Sequence, residues 1–121
     1  MTIRYLIDEN VSPIYPQQLR RKEPDIMLEV VGEPVTPPKG TLDPEILVWC
    51  ENYLAILVTN NRRSMPIHLA DHLAQNRHIP GIFILNPEMG IGETIDELVV
   101  IAKCSFDNEY QDRIFFSLLL N

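Results

Sequence analysis

The sequence predicts an α/β domain of three layers, with helices on both faces of a mostly parallel central sheet. Short apolar runs at residues 3–7, 26–31, 55–58 and 82–85 are rich in β-formers and suit strands buried on both faces. Between them lie segments whose apolar residues recur at helical spacing. The resulting order, β-α-β-loop-α-β-α-β-α-β, calls for crossover connections between parallel strands.

The first strand ends at Asp8-Glu9-Asn10. Ser12-Pro13 reads as an N-cap followed by proline at the first helical position, opening a helix through about Arg21 that Pro24 terminates. After the second strand, Gly32-Glu33-Pro34 and Thr36-Pro37-Pro38-Lys39-Gly40 hold too much Pro and Gly for regular structure, which predicts a surface loop and a candidate functional lid. Asp43-Pro44-Glu45 starts the second helix, with Ile46, Leu47, Cys50, Tyr53 and Leu54 on its apolar face.

The third strand stops at Thr59-Asn60-Asn61-Arg62-Arg63. In the third helix Pro66, Leu69, Ala70, Leu73 and Ala74 make an apolar stripe, while His68, Asp71, His72 and Gln75 share the opposite face. The fourth strand leads through the turn Asn86-Pro87 to a helix marked by Ile91, Ile95, Leu98, Val99 and Ala102, with Glu93 set against the positive end of its dipole. Residues 113–120 read as a last strand, and no internal repeat is present.

With 121 residues the chain has the size of one domain, spanning 1–121, that can bury a core unaided. No apolar run approaches the ~20 residues that cross a bilayer, and the opening residues run into Asp8-Glu9 without a signal-like segment, so a cytoplasmic protein without a membrane role is expected. Cys50 and Cys104 lack any ligand spacing and read as buried free thiols. A formal charge of -7 opposes loose adhesion to nucleic acid over the whole surface. An acidic centre still meets phosphate through a bound Mg²⁺, which reverses the local sign.

Ligands of open α/β sheets bind at the carboxyl ends of the strands. Asp8-Glu9-Asn10 and Thr59-Asn60-Asn61 fall there, and Asp43 with Glu45 can add carboxylates to an oxygen-rich pocket for Mg²⁺ or Mn²⁺. The plainer alternative makes Asp8 and Asn10 turn or cap residues and Asp43 an N-cap. Arg62 and Arg63 can hold RNA phosphates or serve as ordinary surface charge. His68 and His72, with Asp71 between them, stand at metal-binding spacing without the Glu of the zinc-protease signature, so a solvated helix face is expected. Neither a P-loop nor a complete GxGxxG occurs.

Leu6-Ile7-Asp8-Glu9-Asn10, Leu42-Asp43-Pro44-Glu45-Ile46-Leu47 and Leu57-Val58-Thr59-Asn60-Asn61 together resemble the PIN-like family of small proteins known as DUF5615, over nearly the whole chain. That resemblance implies kinship with the PIN-domain ribonucleases, a Rossmann-type sheet, RNA cleavage with Mg²⁺ or Mn²⁺, and for many members a toxin-antitoxin pair. It carries the first-strand acid onto Asp8 and the acidic helix start onto Asp43 and Glu45, as catalytic and metal-holding residues with Asn61 as a further ligand. Asn10, Thr59, Asn60, Arg62 and Arg63 would then meet substrate, with Glu9 beside them.

The third motif departs from the family pattern: Thr59-Asn60-Asn61-Arg62-Arg63 stands where Thr-Asn-Asp and a following Asp-Phe are usual. Two carboxylates are thereby absent, and His68, Asp71 and His72 follow as alternative bearers of function. Two readings result. One is a metal-dependent endoribonuclease with RNA as substrate and an antitoxin-like partner. The other is a catalytically silent domain that binds a protein or nucleic acid, with a homodimer among its forms and an apolar patch expected along Ile114-Phe115-Phe116.

Overall fold

The structure is a computed structural model that describes residues 3–106 and 108–116. Its elements follow the predicted order: β1 (Arg4–Ile7), α1 (Ile14–Lys22), β2 (Met27–Val30), α2 (Asp43–Tyr53), β3 (Ala55–Thr59), α3 (Met65–Ala74), β4 (Ile82–Ile84), α4 (Ile91–Cys104) and β5 (Ile114–Phe115). The sheet is parallel throughout, in the order β2-β1-β3-β4-β5.

Alternation along the strands assigns the two faces. Tyr5, Ile7, Ile56, Val58 and Phe83 pack with Leu19 of α1 and with Ile95, Leu98 and Val99 of α4. Leu6, Leu57, Ile82 and Ile84 point the other way, onto Ile46, Leu47 and Cys50 of α2 and Met65 and Leu69 of α3. This is the three-layer α/β/α arrangement. Both faces of the inner strands are covered, which is why β3 is buried at every position.

Strand order reverses at β1: β2 lies on one side of it and β3 on the other. The carboxyl ends of β1 and β3 therefore flank a crevice at the topological switch point. Register sets Ile7 beside Val58, and the Asp8 N–H donates to the Val58 carbonyl at 2.9 Å, so Asp8 and Thr59 emerge together.

Several local expectations are corrected. The inward face of α3 consists of Met65, Leu69, His72 and Leu73, while Pro66, Ala70 and Ala74 are exposed; the helix is turned from the expected stripe because His72 has partners inside. Asp43 is the first helical residue of α2 and makes no capping bond, with Leu42 at the N-cap. Cys50 is buried, but Cys104, at the last turn of α4, is exposed. The last strand is short, and residues 117–120 of the predicted run lie outside the described residues. Phe115 packs edge-on to Phe83 and Tyr110, leaving only Phe116 of that phenylalanine pair exposed. Among the described residues no helix is long and apolar enough to cross a membrane.

Candidate functional site

Four side chains form a continuous polar path across the switch point. Asp8, 7% exposed, takes the Thr59 hydroxyl on Oδ2 at 2.8 Å and the Glu9 N–H on Oδ1 at 2.8 Å. Thr59 is fully buried, and its oxygen also accepts the Asn61 N–H at 3.1 Å. The Asn61 amide nitrogen then donates to Asp43 Oδ2 and to Ser64 Oγ, both at 2.8 Å. A side chain following β1 is thus linked to the first residue of α2 through the end of β3.

The Asn61 amide is oriented by its surroundings. Its oxygen accepts the Ser64 N–H at 3.1 Å just before α3, which leaves the nitrogen facing Asp43. The donor amide occupies a place beside Asp43 where a carboxylate would repel it. His68, half-buried on α3, brings Nε2 to 3.6 Å from Asp43 Oδ2.

Burial holds the Asp8 carboxyl above the usual carboxylate range. Hydrogen bonds from Thr59 and the Glu9 N–H oppose that shift, and the charges of Asp43 and Glu9 add to it. Complete burial pushes the Cys50 thiol up, and the Asp8 charge adds to that shift.

The remaining candidates divide. Asn10 is exposed and its carbonyl accepts the Asn60 amide at 3.2 Å, which ties the loop after β1 to the end of β3. Glu9 turns aside and accepts the Gly40 N–H at 2.7 Å. Arg62 reaches the Leu85 carbonyl at 3.4 Å, beyond β4, and Arg63 is exposed. Glu45 and Asp71 are exposed and make no side-chain hydrogen bond or ion pair among the described residues. His72 is buried far from Asp8, at the amino end of the sheet, where Nε2 lies 3.0 Å from both the His78 carbonyl and Glu51 Oε1. It belongs to the scaffold.

Among the described residues, no group of three His, Cys, Asp or Glu side chains is placed to share a metal ion. Mg²⁺, however, keeps much of its water and is commonly held by one or two carboxylates. Asp8 and Asp43 supply that number, and a carboxylate oxygen that accepts one hydrogen bond retains a further lone pair. The donor set therefore fits a hydrated hard cation and does not fit a fully dehydrated cage.

Sequence reasoning found Asp8, Asp43 and Asn61 but missed Ser64, whose hydroxyl and N–H both engage Asn61. The spacing Asn61 to Ser64 at the entry to a helix is the signal that identifies it. Comparison of the chain with protein-family models, curated proteins and solved structures gave no match.

Proposed function

We propose that the chain is a PIN-like, metal-dependent endoribonuclease acting in the cytoplasm, with its centre at Asp8 and Asp43. The observation that carries this reading is the buried Asp8 at the switch point, within reach of the charge of a second carboxylate, Asp43, and without a Lys or Arg partner among the described residues. Burying an acid next to another acid is costly, and such arrangements concentrate at functional sites. Resemblance to the DUF5615 family supports the choice of RNA and of Mg²⁺ or Mn²⁺.

Asp8 and Asp43 would hold the cation, which supplies an activated water and neutralises a phosphodiester oxygen when bound. Thr59 fixes the Asp8 carboxylate through its hydroxyl, and Asn61 fixes Asp43. Asn60 and Asn10 brace the two strand ends, while Arg62 and Arg63 stand near enough in the chain to meet phosphate. Glu45 is placed on the rim of the same helix start.

The test is cleavage of a mixed-sequence RNA by wild type and Asp8→Asn, each with Mn²⁺ and with EDTA. Cleavage by the wild type in Mn²⁺ only, reduced about a hundredfold or more in Asp8→Asn, is expected. Equal cleavage in all samples would overturn the reading.

One observation favours a second reading, a catalytically silent domain that binds an antitoxin-like protein or RNA through the same crevice. The Asn61 nitrogen already satisfies Asp43, as a cation otherwise would. An inactive wild type whose Asn61→Asp variant cuts RNA in Mn²⁺ would establish this second reading.

A further inference from the structure

Beside the crevice, between α1 and the loop of residues 32–40, lies a groove of about 390 Å³. Glu9 lines it and directly follows Asp8, so the groove begins where the crevice ends. Pro13 and Val30 contribute apolar surface, and Arg20 and Lys39 contribute the cations.

The two cations differ. Arg20 is committed to Glu33 by a forked pair of hydrogen bonds at 3.0 and 3.0 Å, and to the Leu28 carbonyl at 3.1 Å. Lys39 makes no hydrogen bond or ion pair among the described residues. Its stem is nonetheless held in place. It crosses Gly32, where an added Cβ would lie 3.0 Å from Lys39 Cγ and where φ of +100° already favours glycine.

The loop that carries Lys39 is tied down as well. Gly32 N–H donates to the Pro37 carbonyl at 2.9 Å, and the Thr36 hydroxyl lies 2.9 Å from the Glu33 carbonyl. Glu9 Oε1 fixes the Gly40 N–H, next to Lys39, at 2.7 Å. One acid of the β1 end is thus spent on aiming a lysine-bearing loop beside an anionic crevice.

We infer that this groove carries a single strand of RNA away from the crevice, with the Lys39 ammonium holding a backbone phosphate. The inference rests on reading the crevice as an RNA site. A cation without a protein partner beside apolar surface suits a phosphate followed by a sugar or base face.

Binding of a labelled oligouridylate to the full chain in EDTA tests this apart from hydrolysis. Lys39→Met keeps the stem, removes the charge and sits on an exposed position, and Lys39→Arg restores the charge. Loss of one phosphate contact lowers the slope of log affinity against log salt by about 0.7 for a single strand. Lys39→Met is expected to bind about threefold more weakly with that shallower slope, and Lys39→Arg to match wild type. The inference fails if Lys39→Met keeps the wild-type slope, if wild type has no affinity for the RNA, or if polyglutamate displaces the RNA as readily as unlabelled RNA does. The last result assigns the groove to an acidic protein segment. Weak binding by Lys39→Met with no Mn²⁺-dependent cleavage leaves the groove standing while hydrolysis falls; cleavage by wild type with unaltered Lys39→Met binding does the reverse.

Discussion

At the amino end of the sheet Glu51 and Asp112 each face a basic side chain, whereas at the carboxyl end Asp8 feels the like charge of Asp43. Glu51 lies 3.0 Å from His72 Nε2 and 3.3 Å from Arg77 Nη1, and Asp112 lies 2.8 Å from His78 Nδ1. Burial pushes both carboxyls up, but hydrogen bonds from the His78 backbone and Arg77 to Glu51, and from His78 and the Ile79 N–H to Asp112, bring both below the usual range. Asp8 receives two hydrogen bonds as well and still stays raised, because it is buried more deeply than either and the charges of Asp43 and Glu9 add to the shift. Two hydrogen bonds suffice for a partly exposed carboxylate and fall short for one this deeply buried.

The difference predicts opposite responses to pH. Carboxyls held low, Glu51 and Asp112, contribute stability above their unfolded values of 4.5 and 3.8, and that contribution is lost as pH falls through the folded values. Asp8 is held high, so its contribution is most favourable below 3.8 and is lost as pH rises through its folded value. The amino end makes the fold acid-sensitive, while the carboxyl end carries a cost at neutral pH.

The largest effect on stability is expected at the amino end. His72→Ala removes a buried ring and strands the His78 carbonyl, and urea unfolding should show a loss of about 2–3 kcal/mol. A loss below about 0.5 kcal/mol would mean the network is not structural. Next comes Asn61→Asp, which puts a third carboxylate against Asp43. In EDTA at neutral pH its stability should fall by about 1–2 kcal/mol, and Mn²⁺ should restore more of it than in wild type. A smaller change is expected from Asp8→Asn, with a higher melting temperature than wild type in EDTA at pH 7 and a difference that vanishes as pH falls and Asp8 itself becomes neutral. The smallest effect belongs to His78→Gln. The Asp112 partner holds the His78 imidazole above its ordinary 6.5, so its contribution is complete below that value and lost as pH rises through the folded one. Wild type and variant should differ in a pH series only on the acidic side.

Much of this fold was readable because buried parallel strands announce themselves as short apolar runs, and β1, β3 and β4 fell where those runs lie. The strand end at Asp8 was readable for the same reason. What the sequence hid were pairings across long stretches of chain. Thr59 reaches Asp8 over 51 residues and Asn61 reaches Asp43 over 18, and no local spacing encodes either. His72 was misplaced on a solvated face because a histidine among polar neighbours reads as surface, and Glu51 and His78 become its partners only once α2 and β4 pack. Asp43 looked like a cap from its place before Pro44, yet it is drawn to the Asn61 amide instead.

Among the described residues Asp8 has no Lys or Arg partner, and in the proposed function a divalent cation held with Asp43 would supply that countercharge. Thermal unfolding of wild type and Asp8→Asn with Mn²⁺ and with EDTA measures it most directly. Wild type should gain roughly 2.7 kcal/mol at a free Mn²⁺ concentration about 100 times its dissociation constant, and Asp8→Asn should gain little or nothing. An unchanged wild type, or an equal gain in both proteins, would contradict the account.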